Sequence, residues 1–134
     1  MANPNIVNVS NIYGNTAYVT PSGTTANTAW TYNGSTSLTG LTPSTNVVNR
    51  VTTIVVSNSS AAAANCSVAI ANNATYGSGT PFYLANSITV PAGASLIVTD
   101  KTTAIYLEED KCISVTSGTA SGITYSISYE EISS

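Results

Sequence analysis

Apolar and polar residues alternate with a period of two along much of this chain, the pattern of a strand with one face buried and one face wet. The clearest case is GITYSISYEE. Ile123, Tyr125, Ile127 and Tyr129 point one way, and Thr124, Ser126, Ser128 and Glu130 the other. This predicts a half-buried antiparallel strand. RVTTIVVSN, beginning at Arg50, is dense in β-branched residues, which suit a pleated surface. NCSVAIA alternates, while SLIVTD and AIYLEE are short apolar runs ending in charge. IVNVSNIYGNTAYVT reads as two strand pieces around Gly14 and Asn15. TAWTYNGSTSLT carries the strongest local signal. Asn33 and Gly34 suit a two-residue type I′ hairpin turn, because both positions need positive φ. Trp30 and Tyr32 then share one face of its first arm. No segment of useful length has a helical period. Ala61 to Ala64 favour a helix but are too few to hold one.

Turn signals separate these runs: PSG at 21–23, TPS at 42–44, YGSGTP at 76–81 and PAGA at 91–94. Many short strands punctuated in this way predict an all-β fold, an antiparallel two-sheet β-sandwich of jelly-roll-like form. The 134 residues suit a single domain. A fold of this length buries roughly two-thirds of its extended-chain surface, so a core needs neither disulfide nor metal. Residues 1–45 are the least regular. They read as an N-terminal arm and β-hairpin, a candidate interface, ahead of a β-sandwich core at 46–134.

Composition narrows the function. Hydrophobic residues make up an ordinary 43%, but charged residues only 7%, far below the usual quarter or so. Ser, Thr, Asn and Gly fill the gap, so solubility rests on hydroxyls and amides. Such a surface suits a protein that spends its life docked or outside a cell. Net charge is −3. Arg50, Lys101 and Lys111 are scattered and outnumbered, so no basic face exists to neutralise phosphates and nucleic acid is excluded as a partner. MANPNIVNVS lacks the basic and apolar regions of a secretory signal, so no leader is expected. No stretch approaches the roughly 18 apolar residues of a membrane helix, and no membrane partner is expected.

Six of the nine charges fall between Asp100 and Lys111. Within that stretch EEDK lies between two apolar strand pieces, IYL and CISV. A solvated hairpin turn is the reading its composition favours, since turns need polar residues and Asp suits them. A calcium site at Glu108 to Asp110 is the sharper alternative, but the ligand spacing of an EF-hand loop is missing. A glycosidase-type pair is a second alternative, although adjacent Glu108 and Glu109 on an extended segment point to opposite faces. The chain has no His, so Ser-His-Asp and His-based acid–base chemistry are out. GSGT at 77–80 lacks the Lys of a phosphate loop. No catalysis, metal or cofactor is expected.

Cys66 shares its face with Val68 and Ile70, so it is expected to look inward. Cys112 lies on the side of Ser114 and Thr116, opposite Ile113 and Val115, and is expected to look outward. Two free thiols are favoured over a bridge, which the sequence alone does not exclude. Eight Tyr stand against one Phe and one Trp. Tyr13, Tyr18, Trp30 and Tyr32 fall early, and as a group they suit an interface, where Tyr and Trp are enriched.

The segments IVVSN, SITVPAGASLIVTDKTTAIYLEEDKCISVTSG and YSISYEEIS together resemble small virion structural proteins of tailed bacteriophages, especially marine and cyanobacterial phages (cyanophages). The similarity spans roughly residues 50–132. It lies in a strand ending in Asn, a Pro-Ala-Gly turn, an acidic step into an I-x-V-T-S strand, and a last strand ending in Tyr-Glu-Glu. It implies a non-catalytic β-sandwich component of a virion assembled in the host cytoplasm. A capsid decoration (cement) protein that binds the outer shell and stabilises it is the favoured form. The implied partners are the major capsid protein or other virion proteins. A homo-oligomer, a trimer by analogy, is implied as well. On this reading Asn3, Pro4, Ile6, Val7 and Val9 form a docking arm, with Trp30 and Tyr32 as the next interface candidates. The alternative is a neck, tail or fibre accessory protein or a host-glycan-binding module, with aromatics stacked on sugars and a cation at Glu108 to Asp110. A bacterial adhesin or surface-layer domain is a third reading, disfavoured by the missing leader.

Overall fold

The computed structural model describes residues 9–20, 30–32, 35–37, 46–73, 80–108, 111–119 and 122–133. The strands are β1 (Asn11–Val19), β2 (Trp30–Tyr32), β3 (Ser35–Ser37), β4 (Val47–Asn58), β5 (Ala64–Ala71), β6 (Pro81–Val90), β7 (Ser95–Thr99), β8 (Ile105–Leu107), β9 (Cys112–Ser117) and β10 (Ile123–Ser133). One turn of 3-10 helix, Lys101–Thr103, separates β7 from β8. All described pairings are antiparallel and form two sheets. The larger has the order β3-β2-β1-β10-β4-β7, with β8 also paired to β4; the smaller has the order β6-β5-β9. This is the all-β, two-sheet sandwich that the alternation predicts.

The alternating strand lies at the centre of the larger sheet. β10 pairs with β1 along one side and β4 along the other. Ile123, Tyr125, Ile127 and Tyr129 are buried, and the residues between them are half-buried. They meet Val51, Ile54 and Val56 of β4 and Val68, Ile113 and Val115 of the smaller sheet in one core. A side-chain bond ties the layers together: the Tyr125 hydroxyl donates to the Thr116 carbonyl at 2.7 Å and lies 3.1 Å from Ser117 Oγ.

β1 is one continuous strand, not two pieces around Gly14. Its nine residues pair with β10 from Asn11 opposite Ser133 to Val19 opposite Tyr125. A glycine weakens a strand without ending it, and the long ladder holds it extended. Ala17 and Val19 belong to the core, so the sheet that builds the sandwich takes in residues 11–19 ahead of the 46–134 span. The hairpin forms as its turn residues predict. Tyr32 lies opposite Ser35, which leaves two residues for the connection. Residues 33–34 themselves are outside the described residues.

The end of the sandwich where β4 finishes is tied by one side chain. Asn58 is 2% exposed. Its Nδ2 donates to the carbonyls of Ala62 and Val90, both at 2.9 Å. Its Oδ1 accepts from Ser60 N–H and Ser60 Oγ at 2.9 and 2.6 Å. Its backbone bonds Ala94 and Gly93, closing the Pro-Ala-Gly turn onto β4. In that turn Ala94 N–H donates to the Pro91 carbonyl at 3.1 Å. Gly93 has φ +70°, a value at the third turn position that favours glycine.

Candidate interaction surface

The seven charged residues among the described ones are confined to part of the molecule. Arg50 is the only one before residue 100. The register sets Arg50 opposite Glu130 on one side and Tyr106 on the other. Glu108 follows β8, and Lys111 precedes β9, so both lie toward the same end. Asp100 and Lys101 follow Thr99, which lies opposite Ile54. The Asn58 end, with Ala61, Ala62, Ala63, Pro91, Ala92 and Gly93 exposed, carries no charge among the described residues.

The outer face of the larger sheet is hydroxyl-rich. Arg50 Nη1 donates to Glu130 Oε1 at 2.9 Å, so the two charges on this face largely cancel. Such a half-exposed pair contributes little stability, on the order of 1 kcal/mol or less. Across the neighbouring rows Thr16 Oγ1 lies 3.2 Å from Ser128 Oγ, and Thr20 Oγ1 lies 2.8 Å from Thr124 Oγ1. Tyr18 and Tyr106 stand exposed on this face at opposite sides of the sheet, and Ile97 beside Val55 is 64% exposed.

A second exposed apolar group lies on β6. Eight of its ten residues are exposed, including Phe82, Tyr83, Leu84 and Ile88. Phe82 lies opposite Ile70 and Ile88 opposite Cys66, so both share the core-facing side. They remain 58% and 40% exposed because β6 is the outermost strand of its sheet. Sequence reasoning did not single out this strand. PFYLANSITV lacks strict alternation because the register shifts twice, once between Cys66 and Val68 and once between Val68 and Ala69. Ser87, with φ +52°, lies at one of these irregularities. The contiguous Phe-Tyr-Leu was the available signal.

Of the interface residues expected from sequence, Asn3, Pro4, Ile6 and Val7 lie outside the described residues. Val9 is half-buried ahead of β1. Trp30 and Tyr32 are placed by backbone in β2, and their side chains lie outside what is described. Tyr13, at the start of β1, is 59% exposed.

EEDK is not a hairpin connection. β8 pairs with β4 in the larger sheet and β9 with β5 in the smaller, so this turn crosses between layers. It remains tight: Lys111 N–H donates to the Glu108 carbonyl at 3.1 Å, and Lys111 Nζ lies 3.8 Å from Glu108 Oε2. Glu109 and Asp110 are outside the described residues, and with them part of the candidate cation site. Among the described residues no group of three or more His, Cys, Asp or Glu could hold a metal ion. Asp100 caps the 3-10 turn. Hydrogen bonds from the hydroxyl and amide of Thr102 hold its carboxyl below the usual carboxylate range.

Both thiols are free and buried. Cys112 does occupy the face of Ser114, yet it is fully buried, correcting the outward expectation. Ala69, Ala71 and Ser114 on that face are buried too, so the smaller sheet is covered on both sides at this end. Cys66 pairs with Ser117 and Cys112 with Ala71. They are thus five rungs and about 17 Å apart along the ladder, well beyond the ~7 Å limit for a bridge. Burial raises both pKa values and so suppresses the reactive thiolate. A disulfide reagent at neutral pH is expected to label neither cysteine promptly in the folded chain and both in urea. Prompt labelling of one thiol without denaturant would contradict this burial.

No family model matches the chain, and comparison with curated proteins and with solved structures finds no match.

Proposed function

We propose that this chain is a non-catalytic structural protein of a tailed-phage particle, a capsid decoration protein that binds the outer shell and stabilises it. The observation that carries the reading is a sandwich with large apolar side chains left standing on its strands. Ile12, Tyr18, Ile97 and Tyr106 are exposed on the larger sheet, and Phe82 and Tyr83 on the smaller. Exposed apolar side chains that lie together mark contact surfaces, as the consecutive Phe82, Tyr83 and Leu84 do on β6, and the low surface charge lowers the cost of desolvating them on docking. The resemblance over residues 50–132 supplies the kind of particle.

The mechanism is mechanical. A protein that binds the assembled shell and not its free subunits shifts the equilibrium toward the shell. Repeated copies on a symmetric lattice add avidity. Adding the purified chain to shells that lack it is expected to raise their disassembly temperature, with saturation at a fixed stoichiometry. Shells whose disassembly is unchanged at saturating protein would sink the reading.

A second reading is favoured by the outer face of the larger sheet. Tyr18 and Tyr106 stand exposed at opposite sides of one hydroxyl-rich face, each able to stack on a sugar ring beside hydrogen-bonding hydroxyls. A tail or fibre module contacting host glycans uses such a face. Loss of glycan binding in Tyr18→Ala and Tyr106→Ala would favour it over the shell.

A further inference from the structure

We propose that β6 is a self-association strand, pairing antiparallel with β6 of a second copy across a two-fold axis and joining two three-stranded sheets into one of six. Among the described residues β6 pairs with β5 on one side only. It runs ten residues, eight of them exposed. Edge strands of this length invite pairing, and proteins commonly block it with charges. β6 lacks the charged guard, since no charged residue occurs anywhere from 51 to 99, and only Pro81 and the two bulges interrupt its edge.

The exposed side chains select the occupant. Phe82 and Ile88 lie on the core-facing side of the sheet, opposite Ile70 and Cys66, whereas Tyr83 lies opposite Ala69 on the other side. A partner packed on one face would cover one row and leave the other wet. A strand that continues the sheet covers both. A second copy is uncharged in the same region and presents the same rows in the opposite order, as a two-fold contact requires. The bulges near Leu84 and Ser87 bend the strand, so side-chain burial carries the contact together with ladder bonds.

The area fits a modest dimer. At exposures of 58% and 53%, Phe82 and Tyr83 each offer on the order of 100 Å². With Leu84 and Ile88 the four side chains offer roughly 350 Å² per copy, somewhat under half the ~800 Å² per partner of a standard interface. Pro81, Thr89 and the strand backbone add to this. A contact at the small end of that range is weak, so association is expected only at micromolar or higher concentration. This inference does not depend on the particle reading, and it specifies a dimer where the resemblance implies a trimer.

Sedimentation velocity on the full chain across about 1–100 µM tests it. The 13.7 kDa monomer is expected to convert to a dimer, with concentration-dependent protection of β6 amides from hydrogen exchange. Phe82→Lys and, separately, Leu84→Lys are expected to weaken association at least about tenfold with an unchanged circular dichroism spectrum. Ile12→Lys, at a comparably exposed position on β1, is expected to leave it intact. A monomer throughout the range, a trimer, open-ended growth, or a dimer weakened by Ile12→Lys but not by the β6 variants would each overturn the proposal.

Discussion

Replacing Tyr125 with alanine is expected to cost the fold about 4 kcal/mol, the range for removing a buried aromatic. Tyr125 is fully buried at the centre of β10 and sits in the core shared by both sheets. Its ring fills space between the layers, and its hydroxyl reaches Thr116 and Ser117 of β9. Truncation therefore removes packing and leaves the polar groups of β9 without that partner. Tyr125→Phe separates the two contributions. It keeps the ring and loses the hydroxyl, and about 1–2 kcal/mol is expected. Urea midpoints with unchanged slopes measure both variants. A loss below about 1 kcal/mol for Tyr125→Ala would mean that the sheets are not joined through this side chain.

Asn58→Ala is expected to cost about 3 kcal/mol, lowering the melting temperature by roughly 10 °C. The variant loses four side-chain hydrogen bonds to the 59–63 loop and to Val90. The buried Val90 carbonyl loses its Nδ2 donor, which accounts for most of the cost. Asn58→Asp keeps an acceptor for Ser60 but faces two carbonyls without a donor. It is expected to be at least as unstable at neutral pH and to recover partly in acid, where a protonated carboxyl donates again. The sign follows from linkage: burial beside carbonyls raises the folded pKa above the unfolded one. The variant therefore loses stability as pH rises from the ordinary carboxylate pKa of the unfolded chain up through the raised folded one. A melting temperature that is independent of pH would contradict the role given to Nδ2.

The elements that proved legible are those whose physics is local. In β10 the period-2 pattern meets one buried face, so its orientation could be read residue by residue. In the hairpin the demand for positive φ at two consecutive positions left few alternatives, and the Tyr32–Ser35 pairing agrees. The failures are long-range. Gly14 looks like a break until β10 supplies nine partners for β1. Cys112 follows the alternation faithfully, but burial of its face depends on what covers the smaller sheet. EEDK has the composition of any turn, and only strand pairing shows that it crosses between layers. β6 hid because two register shifts erase its period. That strand now carries much of the exposed apolar surface, so the surface proposed for contact was the least readable part of the chain. The docking arm expected at Asn3 to Val7 lies outside the described residues, and Val9 is the one position of that set whose burial is defined.

Cryo-electron microscopy of particles purified from the cells that make this chain tests the proposed role most directly, by counting copies and locating them. Decoration of a shell predicts many copies per particle at symmetry-related positions on its outer surface, with exposed residues such as Tyr18 or Tyr106 buried at the contacts. A few copies confined to the tail or a vertex would contradict shell decoration in favour of the accessory or glycan-binding reading, and absence from every particle would contradict both.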